Sequence, residues 1–320
     1  MTGGAKRSTI FWAFAAIYLI WGSTYLGIQI AIQTIPPFLL AGVRFLVAGG
    51  LIYLWARFKG EPAPGLRVWL TAAGLGTLFF VFGNGLVVWA EERVPSGRTA
   101  LLASTSPIWT VMLESALDRW RRPPTRVLIG LLLGVIGLTL LASPGTGEGA
   151  VSVGGIVALL VASMAWALGS VIAHRRHLPV GPAMATSMKM LGGGVQLALL
   201  SALLGEGRDF DTGAVTSQSW VALTYLIVFG SVIGFSAFTY LLRESTPQMV
   251  GTSAYVNPLV AVLLGWAFAH EQVTAKMLLG AAVSLSGVLL IRWPKRSDPP
   301  PAEEDVGTLE TGEFPVPRRA

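Results

Sequence analysis

The chain has 320 residues, 53% of them hydrophobic and 12% charged, a formal net charge of +6 and no cysteine. Without thiols, disulfides, thiolate catalysis and Cys-ligated metals are excluded. Apolar runs of roughly 18 residues or more recur along the whole length, which excludes a soluble fold because such runs leave no water-compatible face.

These runs predict an all-α membrane protein with ten spans, at about residues 10–32, 38–56, 67–90, 98–117, 126–143, 151–173, 182–204, 216–242, 249–269 and 274–292. The first run is too long for a signal-peptide core, and Trp21, Gly22 and Gln29 do not resemble a cleavage region, so it is expected to stay as a span. With a cytoplasmic N-terminus, the inner loops collect Lys6, Arg7, Arg57, Lys59, Arg67, Arg119, Arg121, Arg122, Arg126, Arg175, Arg176, Arg243, Arg292, Lys295 and Arg296. The outer loops collect only Arg93, Arg98, Arg208 and Lys276. This asymmetry predicts both termini in the cytoplasm of a multi-pass inner-membrane protein. The basic pI of about 9.9 is then topology, and nucleic acid is not an expected partner. Trp12, Trp55, Trp69, Trp89, Trp120, Trp220 and Trp293 fall at span ends, where an amphipathic ring is favoured, whereas Trp21, Trp109 and Trp166 fall near midspan. Beyond Trp293 the chain turns Pro-rich and acidic, and residues 294–320 read as a disordered cytoplasmic tail.

The spans are written twice. Trp21, Pro37 and Arg44 recur as Trp166, Pro182 and Lys189; Pro95 and Pro107 as Pro247 and Pro258; Gly130 and Gly137 as Gly280 and Gly287. The repeats are expected at 9–143 and 151–293, five spans each. An odd number of crossings per unit makes the second copy enter the bilayer with opposite orientation, the inverted-repeat architecture of alternating-access transporters.

Ionisable groups are costly inside a bilayer, so the few present are candidates. Arg44 and Lys189 are expected at mirrored depths, the outer third of span 2 and the inner third of span 7. They either bind an anionic group or gate the two mouths, or else snorkel or pair with a carboxylate. Glu91, Glu114 and Glu271 are the candidate acidic partners; Glu114 is either a proton carrier or an interfacial acid beside Arg119, Arg121 and Arg122. Pro107 and Pro258 are expected to kink spans 4 and 9 and free the carbonyls of Ala103 and Ala254, next to polar Ser104, Thr105, Ser106, Tyr255 and Asn257. Such prolines either shape a cavity wall or merely bend a helix. The expected substrate contacts are Trp21, Tyr25, Asn84, Trp109, Trp166, Tyr255 and Asn257, an aromatic and hydrogen-bonding set suited to small organic solutes.

No HExxH, GxSxG or Walker A sequence is present, and no membrane-embedded aspartate pair. No catalytic residue, metal or cofactor is expected, and an intramembrane enzyme is disfavoured. A facilitative pore is the alternative to a transporter, although no filter-like sequence is present. The expected partners are a small-molecule substrate, the lipid bilayer and, if transport is proton-coupled, protons; the chain is expected as a monomer or weak homodimer.

Trp21-Gly22-Ser23-Thr24-Tyr25, Ala41-Gly42-Val43-Arg44-Phe45, Gly83-Asn84-Gly85, Ala90-Glu91, Val94-Pro95-Ser96-Gly97 and Tyr255-Val256-Asn257-Pro258, in this order across both halves, resemble the EamA group of the drug/metabolite transporter superfamily, most of all its YedA-like exporter subgroup. The resemblance covers about residues 10–293. It implies ten spans in two inverted five-helix repeats, a cavity lined mainly by spans 1, 3, 4, 6, 8 and 9, and export or exchange of amino acids, metabolites or small drugs. One departure is that Arg121 stands after span 4, where a carboxylate matching Glu271 is implied.

Overall fold

The computed structural model describes residues 3–94, 99, 102–118, 122–141, 152–208, 210–269 and 275–292. Pro95, Arg98, Trp120, Arg121, His270, Glu271, Trp293 and the 294–320 tail lie outside the described residues. The described chain is helical, with α1 at Gly3–Ala31, α2 at Pro37–Phe58 and α3 at Leu66–Glu91. There follow α4 at Ser106–Leu117, α5 at Thr125–Leu141, α6 at Val153–Arg175 and α7 at Pro182–Leu204. The last four are α8 at Ser217–Glu244, a short α9 at Pro247–Gly251, α10 at Ser253–Ala269 and α11 at Ala275–Arg292. Six of them, α1, α2, α3, α6, α7 and α8, are long and apolar enough to cross a membrane. Side chains such as Phe11, Trp12, Leu19, Leu51, Leu54, Leu199, Leu203 and Leu289 are exposed on the outside, as a bilayer-facing surface requires.

The boundaries have local causes. Pro37 and Pro182 stand in the first turns of α2 and α7, where proline lacks only a donor that would be orphaned anyway. The remaining orphan donors are met by carboxylates from across the molecule. Glu206, just past α7, accepts from Phe38 N and Leu39 N (3.3 and 2.8 Å) at the start of α2. Glu61, just past α2, accepts from Gly181 N (3.1 Å) at the start of α7. Each helix end thus receives a negative group on its positive pole from the other half.

Packing is equally reciprocal. Helix α2 runs along α7, and α5 along α11; α1 packs on α8 and α10, while α6 packs on α3 and α4. Glycines bring the paired backbones together. A Cβ on Gly42 would lie 3.0 Å from Ala198 N, and one on Gly49 would lie 2.9 Å from the Met190 Cβ, so α2 and α7 run antiparallel. Gly130 faces Gly287 and Gly137 faces Ser284, so α5 and α11 are antiparallel too.

Two features depart from regular helix. Residues Thr77–Gly85 within α3 and Leu226–Ile233 within α8 are π-helical, a wide turn that leaves carbonyls exposed to side chains. Around the midspan prolines the chain breaks. Ser104 and Thr105 form a turn before α4, with Pro107 in that helix's first turn, and Thr252 separates α9 from α10, which carries Pro258 inside it.

Candidate functional site: a cavity between the two halves

A stripe at i, i+3, i+4 and i+7 on α1, formed by Trp21, Thr24, Tyr25 and Ile28, makes one wall of a cavity of about 120 Å³. Arg44 comes from α2, Gly83, Asn84 and Val87 from α3, Ser106 and Thr110 from α4, and Ala162, Ser163, Trp166 and Ser170 from α6. Phe235 and Phe238 of α8, Pro247, Val250 and Gly251 of α9, and Ser253, Ala254 and Asn257 of α10 also line it, with Ala103 and Ser104 just before α4. An engineered apolar cavity of about 150 Å³ takes up benzene, so this space is of small-molecule size.

Its floor is aromatic. Trp21 and Trp166, the repeated tryptophans, meet edge to face with centroids 5.4 Å apart, and each lies 5.2 Å from Phe238. Phe79, Phe80, Phe45 and Phe235 extend this cluster, and Phe45 and Phe80 stand 4.4 Å apart. Each tryptophan sits against a glycine of the opposite half, Trp21 on Gly234, where a Cβ would lie 2.5 Å from the indole Nε1, and Trp166 on Gly83, where it would lie 3.1 Å from the ring. The Trp21 Nε1–H donates to the Gly230 carbonyl (3.1 Å), and the Asn84 amide donates to the Phe79 carbonyl (3.2 Å); both acceptors lie in the π-helical turns.

The proline breaks supply the polar rim. The Ser163 hydroxyl of α6 reaches the Leu102 and Ala103 carbonyls (3.0 and 3.1 Å), and Ser104 donates to Ala254 O (2.7 Å). The two carbonyls that Pro107 and Pro258 leave without a helical donor are therefore each taken by a serine from the other half. The Asn257 amide, oriented to suit its surroundings, donates to the Tyr18 and Ser253 carbonyls (3.2 and 2.9 Å). The Tyr18 hydroxyl in turn meets Thr252 Oγ1 at 2.6 Å.

Arg44 is 3% exposed; its Nε donates to Ser231 Oγ (2.8 Å) and its guanidinium lies 4.9 Å from the Phe45 ring centroid. Glu91 attracts it from α3, and both Glu91 carboxylate oxygens are buried and unpartnered among the described residues. Lys189 is 5% exposed and faces elsewhere. Its Nζ donates to Thr239 Oγ1 (3.1 Å), 5.6 Å from the Phe79 ring, and it lines a second pocket of about 20 Å³ with Arg176, His177 and Arg243. Phe79 belongs to the aromatic cluster, so both basic residues border that cluster while lining different pockets.

Of the residues singled out from the sequence, Trp21, Tyr25, Asn84, Trp166, Asn257 and Arg44 come together at the cavity. Tyr255 does not; its ring is fully buried against Gly134 of α5, with its hydroxyl unpartnered among the described residues. Trp109 likewise lies outside the lining, with a buried Nε1 that has no partner among the described residues. Glu114 is hydrogen-bonded to Gln248 and lies near the exposed Arg175–Asp118 ion pair (2.7 Å) at one end of the bundle. Pro107 packs on Gly251, and Pro258 is buried; neither lines the cavity. Thr24, Thr110, Ser163, Phe235 and Phe238 were not singled out. Ser163 and Thr24 were legible as helical neighbours of Trp166 and Trp21, whereas Phe235 and Phe238 carried no distinguishing signal among the apolar residues of α8.

The sequence matches a transporter family twice, over residues 7–143 and 153–293. The chain belongs to the EamA-like transporter family. Within it, the chain is 38% identical over 289 residues to the inner membrane transporter YedA of Escherichia coli strain K12, covering 89% of this chain and 91% of that protein. It is 26% identical over 309 residues to a WAT1-related chloroplastic protein of Arabidopsis thaliana, over 93% of this chain and 73% of the other. A solved crystal structure superposes with a TM-score of 0.72 at 19% identity, over 89% of this chain and 96% of that one, a likeness of fold alone. An EamA-like chain with membrane-length apolar helices is a membrane transport protein rather than an enzyme.

Proposed function

We propose that the protein is a secondary-active exporter of small organic solutes in the inner membrane, working by alternating access through the cavity around Trp21 and Trp166. In this reading the ten spans form two inverted repeats of five, and both termini are cytoplasmic. The observation that carries it is the way both halves contribute equivalent parts to one cavity. Trp21 and Trp166 meet at its floor, and Ser104 and Ser163 close each other's proline breaks. Equivalent helices of an inverted repeat must run antiparallel, which the glycine contacts of α2 with α7 and of α5 with α11 support. The packed aromatic cluster that borders both the Arg44 cavity and the Lys189 pocket favours a carrier over a pore, since a carrier needs a barrier that is closed on one side at a time.

The test is uptake and counterflow in proteoliposomes with amino acids, nucleosides and organic acids and bases, paired with planar-bilayer recording. Saturable, stereospecific counterflow without unitary currents is expected. Single-channel conductance would replace the carrier with a pore, and turnover of a lipid or peptide would favour an enzyme.

A further inference from the structure

Arg44 is the one charged side chain among the described residues that line the cavity. Ser231 occupies its Nε, which leaves the ends of the guanidinium fork for another acceptor. Around it the walls are aromatic and hydroxylated, and no lining residue among those described is acidic. Glu91 of α3 attracts it without a direct ion pair, and its two oxygens are buried without a hydrogen bond from any described residue.

We propose that the cavity takes an organic carboxylate, its anionic end on the Arg44 guanidinium and its apolar body against Trp21, Trp166, Phe235 and Phe238, with Glu91 holding a proton while the anion is bound. This names the substrate class of the transport reading and rests on it for its purpose. A single guanidinium in a low-dielectric wall compensates one carboxylate; a second, ionised, would be a buried unpaired charge. The incoming carboxylate and Glu91 therefore compete for Arg44, and a proton from water on one Glu91 oxygen restores neutrality. The groups facing Glu91 allow this. From α2 there is Arg44, and from α1 Tyr25. Helix α6, packed along the Leu86–Glu91 turn, carries its titratable His174 and Arg175 at its far end, where Arg175 pairs with Asp118. On the helix's own end, Glu92 and Arg93 pair with each other at 2.6 Å in solvent.

Because the bound state keeps a proton that the empty state gives up at high pH, carboxylate affinity is greatest at low pH. It falls as pH rises, with a limiting slope of about tenfold per unit. Three molecules of one shape decide the matter: benzoate, benzamide and benzylamine, titrated by calorimetry into the purified full-length chain from about pH 6 to 9.5, where a carboxylic acid of ordinary pKa stays ionised. Benzoate is expected to bind at least about tenfold tighter than the other two at the low end, and to weaken with pH, while benzamide does not. Glu91→Gln should flatten the pH dependence of benzoate, and Arg44→Gln should erase its advantage over benzamide. Benzoate binding no tighter than benzamide, or a wild-type pH slope persisting in Glu91→Gln, would overturn the proposal, and the first arm needs no variant to fold. Counterflow of an uncharged or cationic solute alongside that negative result would leave the transport reading standing without the anion site.

Discussion

Tyr255 and Asn257 are two positions apart on α10, and an α-helix turns about 200° over that interval, so they cannot face the same space. Asn257 lines the cavity, while Tyr255 buries its ring between α5 and α11 with a hydroxyl that has no partner among the described residues. Removing that hydroxyl removes a desolvated group without breaking a bond. Tyr255→Phe is therefore expected to leave apparent transport affinity within about twofold and the unfolding midpoint undiminished; a large loss in counterflow would place the tyrosine at the substrate after all. Asn84 is the contrasting case, half-buried, lining the cavity and anchored on the Phe79 carbonyl. Asn84→Ala should weaken apparent affinity by up to about tenfold, the value of one hydrogen bond, and unchanged affinity in counterflow would move the binding site elsewhere. Residue types pointed to both positions from the sequence, but only helical phase separates them, and the Trp21, Thr24, Tyr25 stripe is where that phase was readable.

At the level of elements, the proline breaks were legible and the π-helical turns were not. Proline frees the carbonyl four residues earlier by its covalent structure, and Ala103 and Ala254 are the acceptors that the serines take. The turns at Thr77–Gly85 and Leu226–Ile233 depend instead on what reaches into them, the Trp21 indole from α1 and the Asn84 amide from within, which no local sequence period announces. Ser163→Ala is expected to cost about 0.5–1.5 kcal/mol of stability by leaving the Ala103 carbonyl without its donor, measured as thermal or denaturant unfolding in detergent. Gly287→Ala should cost more, about 1–3 kcal/mol as overpacking does. Its Cβ would stand 2.5 Å from the Gly130 carbonyl oxygen and 2.9 Å from Gly134 N, backbone atoms that cannot step aside. Wild-type stability in Gly287→Ala would mean that α5 and α11 do not approach at that glycine.

Across the whole molecule, one repeated landmark of the sequence becomes a direct contact and one pair of equivalent helices exchanges caps. Trp21 touches Trp166, and the α2 and α7 ends are capped by Glu206 and Glu61, two carboxylates 145 positions apart like the tryptophans. The spacing announced that equivalents exist, but not that they would exchange caps, because a cap depends on where a loop returns in space. Arg44 and Lys189 line different pockets, one the large cavity and the other a small one beside Arg176, His177 and Arg243. Alternating access through an inverted repeat requires these two positions to open to opposite compartments. The chain has no cysteine, so Arg44→Cys and Lys189→Cys each introduce a single label site. With a membrane-impermeant thiol reagent on right-side-out and inverted vesicles, position 44 should label from the periplasmic face and position 189 from the cytoplasmic face, whereas equal labelling of both from one face would contradict the inverted arrangement.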